Sequence, residues 1–270
     1  GASSPSPLLI AVRRTPVKPP MEPREYELMF ESERRHWWFQ TRLRIIERLL
    51  ERHVWPALPP RPTLLDLGCG TGLFLERRQA HCRAMGADFS RQALGFCRRL
   101  GLRSVCQADA GRLPFADGRA DVVTAFDLIE HVADDQRLVR EAWRVLRPGG
   151  LLVASVPAHP LLWTGHDISL HHMRRYRRRK FEALFHQPGQ PWQCIRMTAG
   201  FGLVFLPTSA MRLSKRFMAD GGRLGSDTRP VPEWLNRLMI ALHRVEVAWL
   251  GRFDLPVGVS FFTIRRKPEE

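Results

Sequence analysis

The chain has 270 residues, of which 44% are hydrophobic and 26% are charged, and its formal net charge is +15 at pH 7. This length and composition allow a large hydrophobic core, so they exclude a small disulfide-stapled scaffold and a wholly disordered chain. A membrane-spanning helix needs roughly 18 uninterrupted apolar residues, and the best candidate, residues 201–217, contains a proline and three basic residues. We therefore expect a protein that does not span a bilayer.

The cysteines give an expectation about the redox compartment. There are five of them, without a close Cys-x-x-Cys pair. An odd number without metal-ligand spacing indicates neither a disulfide framework nor a zinc ribbon. We therefore expect a reducing, cytoplasmic environment, and contact with the membrane surface stays open as an addition to it.

The positive charge is unevenly spread. It comes from 38 Arg and only 4 Lys, and residues 171–180 alone contribute +6. Such a concentration would attract phosphates, anionic lipid head groups or acidic polymers. A solvated loop without a partner is the alternative.

The amino-terminal part is predicted as a tail and a cap. Residues 1–23 are rich in Pro and Ser and predict a flexible tail, whereas residues 24–56 predict a cap helix from apolar residues at three- and four-residue spacing, ended by prolines. The adjacent Trp37 and Trp38 cannot both face one core, so one ring is expected to lie as a lid over a ligand cleft. Packing of both rings through a bend is the alternative.

Short apolar runs then alternate with helical patterns. The predicted strands are residues 63–67, 83–88, 105–108, 120–126 and 151–156, and the predicted helices are 73–80, 91–100 and 135–146. Strands separated by helices of this length indicate βαβ units and a parallel sheet covered on both faces. The sequence therefore predicts a doubly wound α/β domain over residues 57–200 and 256–267.

A long connection follows this alternation. Residues 157–180 carry four histidines, and a connection of this length is typical of a functional loop. We interpret it as a substrate loop. A short helix at 181–185, a strand at 194–198 and a final strand at 257–265 are predicted after it.

Residues 201–255 are predicted as a helical insertion. In its second half, five large apolar residues fall on one helix face: Trp234, Leu238, Leu242, Val245 and Trp249. Such a face must pack on something. We expect the helix to dock on the body of the protein through this face, and a membrane or partner helix is the alternative.

The most informative motif runs from Leu64 to Leu75. Apolar residues lead to the end of a strand, Asp66 lies there, and Gly68, Gly70 and Gly72 open the following helix. Glycine lets the main chain approach a ligand closely, and the free amides of a helix start favour an anionic group. A P-loop would need Gly-Lys-Ser/Thr at the helix start, and a dinucleotide fingerprint would need glycine at position 73, which is leucine. An acid just before the glycines suits a cationic ligand instead.

This pattern resembles motif I of class I S-adenosylmethionine-dependent methyltransferases, and further landmarks match in order. Asp88 ends the second strand, where the family places an acid on the ribose hydroxyls, and Asp109 follows the third, where it places an acid near the adenine amino group. The resemblance implies a Rossmann-like sheet with an antiparallel last strand and S-adenosylmethionine as methyl donor. The cofactor-binding residues that it implies are Asp66, Gly68, Cys69, Gly70, Gly72, Asp88, Phe89, Asp109, Ala110 and Phe126.

A first group of acceptor-side candidates follows the fourth strand, where ligands gather in open α/β sheets. Members of the superfamily carry Glu-His at this place, so His131 is a candidate base or positioning residue. Asp127, Glu130 and His131 also resemble the metal-ligand segment of ubiquinone-pathway O-methyltransferases, but the spacing is common and we expect no metal. Helix capping by Glu130 and simple packing of His131 are the alternatives.

The second group lies in residues 33–42 and in the loop 157–180. These segments resemble a bacterial methyltransferase subgroup with H-W-W-F and H-x-R-R-Y motifs, whose members suggest glycan or lipid-linked substrates. Two adjacent arginines could clamp a phosphate or carboxylate by bidentate hydrogen bonds, and loop histidines could deprotonate a hydroxyl; a loop held by His-Asp contacts such as His166 to Asp167 is the alternative. The substrate-binding candidates are Trp37, Trp38, Arg42, His159, Asp167, Arg174 and Arg175, and the catalytic candidates are His131, His166, His171 and Tyr176.

The sequence thus predicts methyl transfer to oxygen of a small, or lipid- or glycan-linked, anionic acceptor. Three alternatives stay open: a nucleic-acid methyltransferase, a lipid-modifying enzyme at the membrane surface, and a cofactor-binding scaffold without catalysis. The first is disfavoured, because the fourth strand ends in Phe-Asp-Leu-Ile and not in the N-P-P-Y/F segment of base methylation. The acceptor and the oligomeric state are left unspecified.

Overall fold

The computed structural model describes residues 23–217 and 231–269. The tail predicted for residues 1–23 lies outside the described residues, except for its last residue.

Seven strands form one mixed sheet in the order β3-β2-β1-β4-β5-β9-β8. Strands β1 to β5 pair in parallel, and β9 lies between β5 and β8, antiparallel to both. The predicted doubly wound sheet with an antiparallel last strand is therefore confirmed. The strands are β1 (Thr63–Leu67), β2 (Arg83–Asp88), β3 (Val105–Gln107), β4 (Ala120–Phe126), β5 (Leu146–Pro157), β8 (Gln193–Gly200) and β9 (Ser260–Arg266), and β6 (His186–Gln187) and β7 (Gln190–Pro191) form a separate hairpin.

Both faces of the sheet are buried. Leu64 and Val122 belong to one core cluster, while their neighbours Leu65 and Val123 belong to another. The side chains of successive strand residues point to opposite faces of the sheet. Adjacent apolar residues such as these therefore show that both faces are covered. The helices that follow the first four strands in the chain are α3 (Leu73–Arg78), α4 (Arg91–Arg99) and α5 (Asp135–Val145).

Two helices replace the single cap helix predicted for residues 24–56. They are α1 (Pro23–Arg35) and α2 (Trp37–His53), separated by His36 in an extended conformation. The His36 Nδ1 accepts a hydrogen bond from the Trp38 main-chain amide at 3.3 Å and caps α2. Histidine is not among the preferred capping residues, so the break carries no usual sequence signal.

Some element boundaries also differ from the prediction. Strand β5 begins five residues early, because Leu146 pairs with Ala120 and Gly149 turns the chain in the left-handed region at φ 76°. Helix α7 (Arg178–Ala183) begins three residues before the predicted 181–185. The loop 157–180 is largely ordered into a 3-10 turn at Pro160–Leu162 and the short helix α6 (Gly165–Ser169).

The insertion contains α8 (Phe205–Phe217) and α9 (Glu233–Leu250). Helix α9 packs on α2, but not through the face that the sequence predicts. The exposed fractions of its apolar stripe run from 45% to 69%, so docking through this stripe is wrong. We call the stripe, made of Trp234, Leu238, Leu242, Val245 and Trp249, the exposed face of α9.

Polar residues hold the opposite side of α9. The Asn236 side chain accepts from the Trp37 amide at 2.7 Å and donates to the Arg35 carbonyl at 2.9 Å, so it bridges the break between α1 and α2. The Glu246 carboxylate accepts from the amides of Phe201 at 2.5 Å and Leu203 at 3.1 Å. These main-chain groups have no hydrogen-bond partner within a helix or strand, so they determine that α9 packs on the protein through its polar side.

None of the described helices combines the length and apolar character needed to cross a bilayer.

Candidate active site

The glycine-rich turn connects β1 to α3 at the carboxyl edge of the sheet. Gly68, Gly70 and Gly72 have positive φ values of 65°, 54° and 91°. A Cβ at Gly68 would lie 2.7 Å from Leu128 Cδ1, and one at Gly72 would lie 2.8 Å from Leu102 Cδ1. The turn therefore needs glycine for its conformation and for its packing.

Asp66 is a buried acid beside this turn. It is only 3% exposed, and its Oδ1 accepts a hydrogen bond from Thr124 Oγ1 at 2.6 Å. Burial raises the pKa of Asp66 to about 7, against the opposing hydrogen bond from Thr124 and with a further rise from the charge of Asp88. A cation at this position would restore the ionised carboxylate.

Asp88 occupies the end of β2, as predicted. Its carboxylate accepts from the amides of Gly70 at 2.9 Å and Ser90 at 2.8 Å. Burial raises its pKa, and these amides oppose the rise. The next residue, Phe89, is 60% exposed and leaves its ring available for stacking.

The remaining predicted cofactor residues have a more structural setting. Asp109 Oδ1 accepts from the Gly111 amide at 2.8 Å, and Ala110 packs against a core cluster. The Phe126 ring meets the Phe74 ring edge-on at 5.1 Å. Cys69 is buried, and a hydrogen bond with the Cys97 thiol, together with burial, raises its pKa.

Helix α1 lies over the glycine turn and contributes a residue that the sequence reasoning missed. The Glu33 carboxylate accepts a hydrogen bond from the Thr71 hydroxyl, and burial raises its pKa. The position of a Cβ at Gly70 lies 3.3 Å from Met29 Cε of the same helix. Glu33 begins the segment 33–42 that resembles the subgroup motif, but this resemblance gave it no role, because only the packing of α1 brings it to the turn.

These residues fit a cationic methyl donor with an adenosine group. Among the described residues, neither Glu33 nor Asp66 has a basic side chain at ion-pair distance, and both pKa values are raised by burial. Buried carboxyl groups without a cation are costly, so the turn is suited to receive one. Asp88 ends β2 and the exposed Phe89 ring follows it, and their contacts with ribose and adenine stay predictions.

Asp127 and Arg42 form an ion pair at the end of β4. Arg42 NH1 lies 2.5 Å from Asp127 Oδ2, and Ser155 Oγ donates to Asp127 Oδ1 at 2.8 Å. Burial alone would raise the pKa of Asp127, but the charge of Arg42 and the hydrogen bond from Ser155 bring it below the ordinary value. Asp127 is therefore fully engaged by protein groups.

Asp167 is a further buried acid, and it binds three side chains that hold the loop in place. It accepts hydrogen bonds from His172 Nδ1 at 2.9 Å, Arg175 Nε at 2.7 Å and Arg212 NH1 at 3.3 Å. Burial would raise the pKa of Asp167, but the His172 hydrogen bond and the Arg175 charge bring it below its usual range. A carboxylate that holds Nδ1–H leaves Nε2 as the nitrogen that can accept a proton.

His172 lies against the residues that follow β4. Its Nε2 is 3.9 Å from Glu130 Oε1, and its ring meets the His131 ring edge-on at 4.8 Å. The prediction brought His131 to this site but chose His166 and His171 from the loop. In the structure, however, the histidine that contacts Asp167 is His172, which was not among the catalytic candidates. The sequence could not indicate this, because the direction of the His172 ring depends on the fold of α6 and not on the spacing of the histidines.

Glu130 is a fully buried carboxyl group. Within the described part of the chain neither of its oxygens has a hydrogen-bond partner. Burial, with the charge of Asp127, raises its pKa well above the ordinary value. Glu130, His131 and His172 bring ligand atoms within 4.8 Å of one another, so they are the residues that could hold a metal ion. The absence of a metal stays a prediction.

The catalytic assignment of Tyr176 is wrong. Its side chain is completely buried, and its hydroxyl donates to Asp135 Oδ2 at 2.8 Å. Burial and this hydrogen bond raise its pKa. Tyr176 therefore holds the loop to the start of α5 and is not placed to exchange a proton with an acceptor.

Arg174 and Arg175, predicted as a clamp for an anion, are both bonded to carboxylates of the protein although both line the cleft beside the loop, so their substrate-binding role stays a prediction. Arg174 donates to Asp135 Oδ2 at 2.8 Å and to the Ala133 carbonyl at 2.9 Å. Arg175 is only 6% exposed and donates to Asp167 and, at 3.0 Å, to the Ala158 carbonyl. Both guanidinium groups are used to fix the loop.

His159 is also part of the packing. Its ring lies 5.1 Å from Phe205 and 5.5 Å from Phe261, and burial with the charge of Arg175 lowers its pKa. His171 takes a left-handed backbone at φ 58°, and His166 lies in α6, where its carbonyl accepts from Ser169 Oγ.

Trp37 and Trp38 both pack, which was the alternative to a lid. The Trp38 ring stacks on Phe201 with centroids 3.9 Å apart, and the Trp37 ring meets Trp38 edge-on at 5.6 Å. Trp37 also contacts the ring of His243 from α9 at 5.3 Å. The break at His36 permits this arrangement, because it turns α2 away from the axis of α1.

An open cleft borders the loop. It has a volume of about 550 Å³ and is lined by Pro160, Trp163, Met173, Arg174, Arg175, Arg177 and Lys180. It thus combines apolar walls with basic groups. Met173 joins this cleft to the site, because its amide donates to the Glu130 carbonyl at 2.9 Å.

Comparison with known proteins agrees with this geometry. Residues 65–154 match the methyltransferase domain family. A Mycobacterium tuberculosis protein described as a probable S-adenosylmethionine-dependent methyltransferase is 37% identical over 119 residues, 42% of this chain and 43% of that protein. Demethylmenaquinone methyltransferase of Thermus thermophilus is 40% identical over 116 residues, 39% of this chain and 52% of that protein. The chain thus spans about half the length of the curated relatives it matches.

A solved structure supports the fold over most of the chain. It is a chain from the complex between the Haloferax volcanii Trm112 methyltransferase activator and a methyltransferase, and it is 19% identical with a TM-score of 0.59. The alignment covers 92% of this chain and 96% of that one. The chain therefore has the fold of the class I methyltransferases, and its residues 65–154 are similar to a methyltransferase domain whose Mycobacterium tuberculosis relative is described as S-adenosylmethionine-dependent.

Proposed function

We propose that the protein transfers a methyl group from S-adenosylmethionine to an oxygen of an anionic acceptor, either a small molecule or one linked to a lipid or glycan. The observation that carries this proposal is the hydrogen bond from His172 Nδ1 to the buried Asp167 carboxylate, which leaves Nε2 facing Glu130. A hydroxyl acceptor must lose its proton as it is methylated, and this pair is built to take it.

The roles of the protein groups follow from their settings. The bound cofactor supplies an electrophilic methyl group on a cationic sulfur. Glu33 and Asp66 offer carboxylates to its positive charge, and the glycine turn lets the main chain approach it. Asp167 orients His172 and stabilises its protonated ring, as the carboxylate does in a Ser-His-Asp triad. Transfer then depends on positioning and on the exclusion of water.

An anionic acceptor is supported by the cleft beside the loop. Arg177 and Lys180 line it and are exposed, while Trp163 and Met173 supply apolar surface. A phosphate or carboxylate with an apolar neighbour suits such a surface. The H-W-W-F and H-x-R-R-Y motifs are the support for a glycan- or lipid-linked form of this acceptor.

The nucleic-acid alternative loses support. Of the basic run, Arg174 and Arg175 are held by Asp135 and Asp167, and Arg178 lies 3.2 Å from Glu182. The charge available to a phosphate backbone is thus smaller than the sequence suggests. Salt-dependent retention on a nucleic-acid column with a steep slope would revive this alternative.

A methyl-transfer assay with labelled donor tests the proposal. Hydroxyl acceptors that carry phosphate or carboxylate are compared with neutral counterparts, and the wild type is compared with His172→Ala. We expect transfer to the anionic class, and a loss of about 10²- to 10⁴-fold in kcat for His172→Ala with unchanged donor affinity. His81→Ala is the matched control, because His81 is exposed in the turn before β2.

The pH dependence of the rate separates a base from a packing residue. The rising limb of the wild-type profile should disappear in His172→Ala, because the group that accepts the proton is gone. Unchanged kcat in this variant would contradict the role of His172. Tight donor binding without transfer to any acceptor class would favour the scaffold alternative.

A further inference from the structure

Exposed apolar side chains are concentrated in one part of the molecule. Of the sixteen large hydrophobic residues that are exposed in the described chain, ten lie between residues 203 and 257. Soluble monomers rarely expose contiguous apolar surface of this kind, and such patches mark sites of interaction. Five of these ten residues form the exposed face of α9.

The exposed face of α9 cannot be turned toward the core without breaking other contacts. Helix α9 is already anchored on its other side by Asn236, His243 and Glu246, which are 8%, 1% and 4% exposed. Turning the apolar stripe inward would expose these groups and leave the main-chain amides of Trp37, Phe201 and Leu203 without their acceptors. The stripe is therefore directed outward by the fold.

Basic residues lie next to this face. Arg44 and Arg48 of α2 and Arg244 of α9 line one notch of about 330 Å³, together with two acids and two small apolar residues: Glu47, Glu51, Val247 and Ala248. A guanidinium nitrogen of Arg44 and one of Arg48 are buried without a hydrogen-bond partner among the described residues. Arg48 pairs with Glu51 at 3.9 Å, so the notch carries only a small excess of positive charge, and Arg244 is the basic residue that α9 itself brings beside Val245.

The aromatic residues of the face mark its two ends. Trp234 is 68% exposed and Trp249 is 51% exposed. Fifteen residues of helix separate them, which is about 22 Å along the axis. Tryptophan favours the boundary between lipid head groups and acyl chains, and an amphipathic helix with aromatic, aliphatic and basic residues lies in the plane of that boundary.

We propose that the exposed face of α9 docks on the surface of an anionic lipid bilayer. A second copy of the chain fits less well, because a formal net charge of +15 opposes self-association. The same charge attracts an anionic membrane. A nucleic acid would satisfy the arginines but not the apolar stripe.

Hydrogen bonds connect helix α9 to the candidate active site. Glu246 of α9 holds the amides of Phe201 and Leu203 just before α8. Arg212 of α8 donates to the Leu162 carbonyl at 3.0 Å and to Asp167 at 3.3 Å. Side-chain hydrogen bonds from α9 and α8 thus lead toward the loop that carries His172.

Vesicle sedimentation of the full chain tests the docking surface. Phosphatidylcholine vesicles that contain phosphatidylglycerol are compared with pure phosphatidylcholine, without methyl donor or acceptor. We expect binding to the anionic vesicles, weakened by salt, and little binding to the neutral ones. Because no methyl transfer is measured, a failure here leaves the proposed function untouched.

Variants on the exposed face sharpen the test. Leu242→Asp with Val245→Asp should weaken partition to anionic vesicles by more than about tenfold, since two apolar groups leave the interface. Ile195→Asp is the control, because Ile195 is 37% exposed on β8, away from α9. Arg244→Glu should also weaken binding and flatten its salt dependence.

Three results would overturn the proposal. The first is equal sedimentation of the wild type and the double variant, and the second is equal binding to neutral and anionic vesicles. The third is a wild-type dimer in light scattering that the double variant converts to a monomer, because the face would then belong to a second copy of the chain. Unchanged circular dichroism of the double variant confirms that it folds.

Discussion

Helices α5 and α9 carry apolar residues at similar helical spacing and use them in opposite ways. In α5, Leu138, Val139, Ala142 and Val145 are all completely buried on the sheet. In α9 the corresponding apolar stripe is exposed and a polar face is docked. Hydrophobic periodicity therefore identifies both helices, but it indicates the docked face of only one.

The difference arises from what each helix meets. Helix α5 covers a sheet whose main-chain groups already bond to neighbouring strands, so only apolar contact remains to be gained. Helix α9 meets the broken end of α1 and the irregular turn at Phe201, where main-chain groups need partners. Asn236 and Glu246 supply these partners, and a buried group without one would be costly.

The largest expected difference is between the effects of one substitution, Leu→Asp, on the free energy of unfolding when it is made in α5 and when it is made in α9. Leu138→Asp should lower the free energy of unfolding by more than about 4 kcal/mol, because it buries an unpaired charge in the core. Leu242→Asp should change it by less than about 0.5 kcal/mol, since Leu242 is already 45% exposed. Urea denaturation measures both, and a large loss in Leu242→Asp would contradict the outward orientation of α9.

The polar anchor of α9 should matter next. Glu246→Ala removes the acceptor of two buried amides and should cost about 2 to 3 kcal/mol of unfolding free energy. Val245→Ala is the matched control, because its side chain is 69% exposed and should contribute less than about 0.5 kcal/mol. Equal stability of the two variants would show that Glu246 does not determine the docked face.

Asp66 provides the contrasting case of a buried acid with few partners. The pKa of Asp66 is about 7 in the folded protein and 3.8 when unperturbed. Between these two pH values the folded protein therefore keeps the Asp66 carboxyl group protonated, whereas the unfolded chain does not. The stability of the wild type should therefore fall as pH rises from about 4 to 7. Asp66→Asn removes this loss and should be more stable by about 2 kcal/mol above pH 7, while binding the donor less tightly.

Thermal unfolding across this pH range is the measurement for Asp66. The stability difference between Asp66→Asn and the wild type should be small near pH 4 and reach its full size above pH 7. A difference that does not depend on pH would exclude a raised pKa at this position.

The smallest expected effect is that of chelation. Methyl transfer should be unchanged after treatment with a chelator, because Asp127, the carboxylate next to the Glu130 cluster, is engaged by Arg42 and Ser155. Loss of activity that added divalent metal restores would assign Glu130, His131 and His172 as ligands. Buried Glu130 would then differ from Glu246 by binding a metal ion in place of main-chain amides.

The sequence predicts the α/β sheet and the glycine turn for a physical reason. The alternation of strands and helices, the turn and the place of Asp88 at a strand end follow from local spacing, and the strand ends of a parallel sheet meet at one edge. The order of the strands was not predicted. The loop was harder to predict. Asp167 and three of the four loop histidines were predicted as site residues, but His172, which bonds to Asp167, was not. Which histidine bonds to Asp167 depends on how α6 turns, and that is set by contacts from Arg175 and Arg212.

By itself, the sequence determined the α/β class, the donor-binding turn and the presence of a helical insertion, since each of these follows from spacing along the chain. Only the tertiary structure decided that α1 brings Glu33 to the turn, that His172 receives the orienting carboxylate and that α9 presents its apolar stripe outward. The first depends on a partner 38 residues away, and the second on a loop contact whose acid is also held by Arg212, 45 residues away. The third depends on the competition between unpaired main-chain groups and apolar area, and none of the three leaves a periodic signal in the sequence.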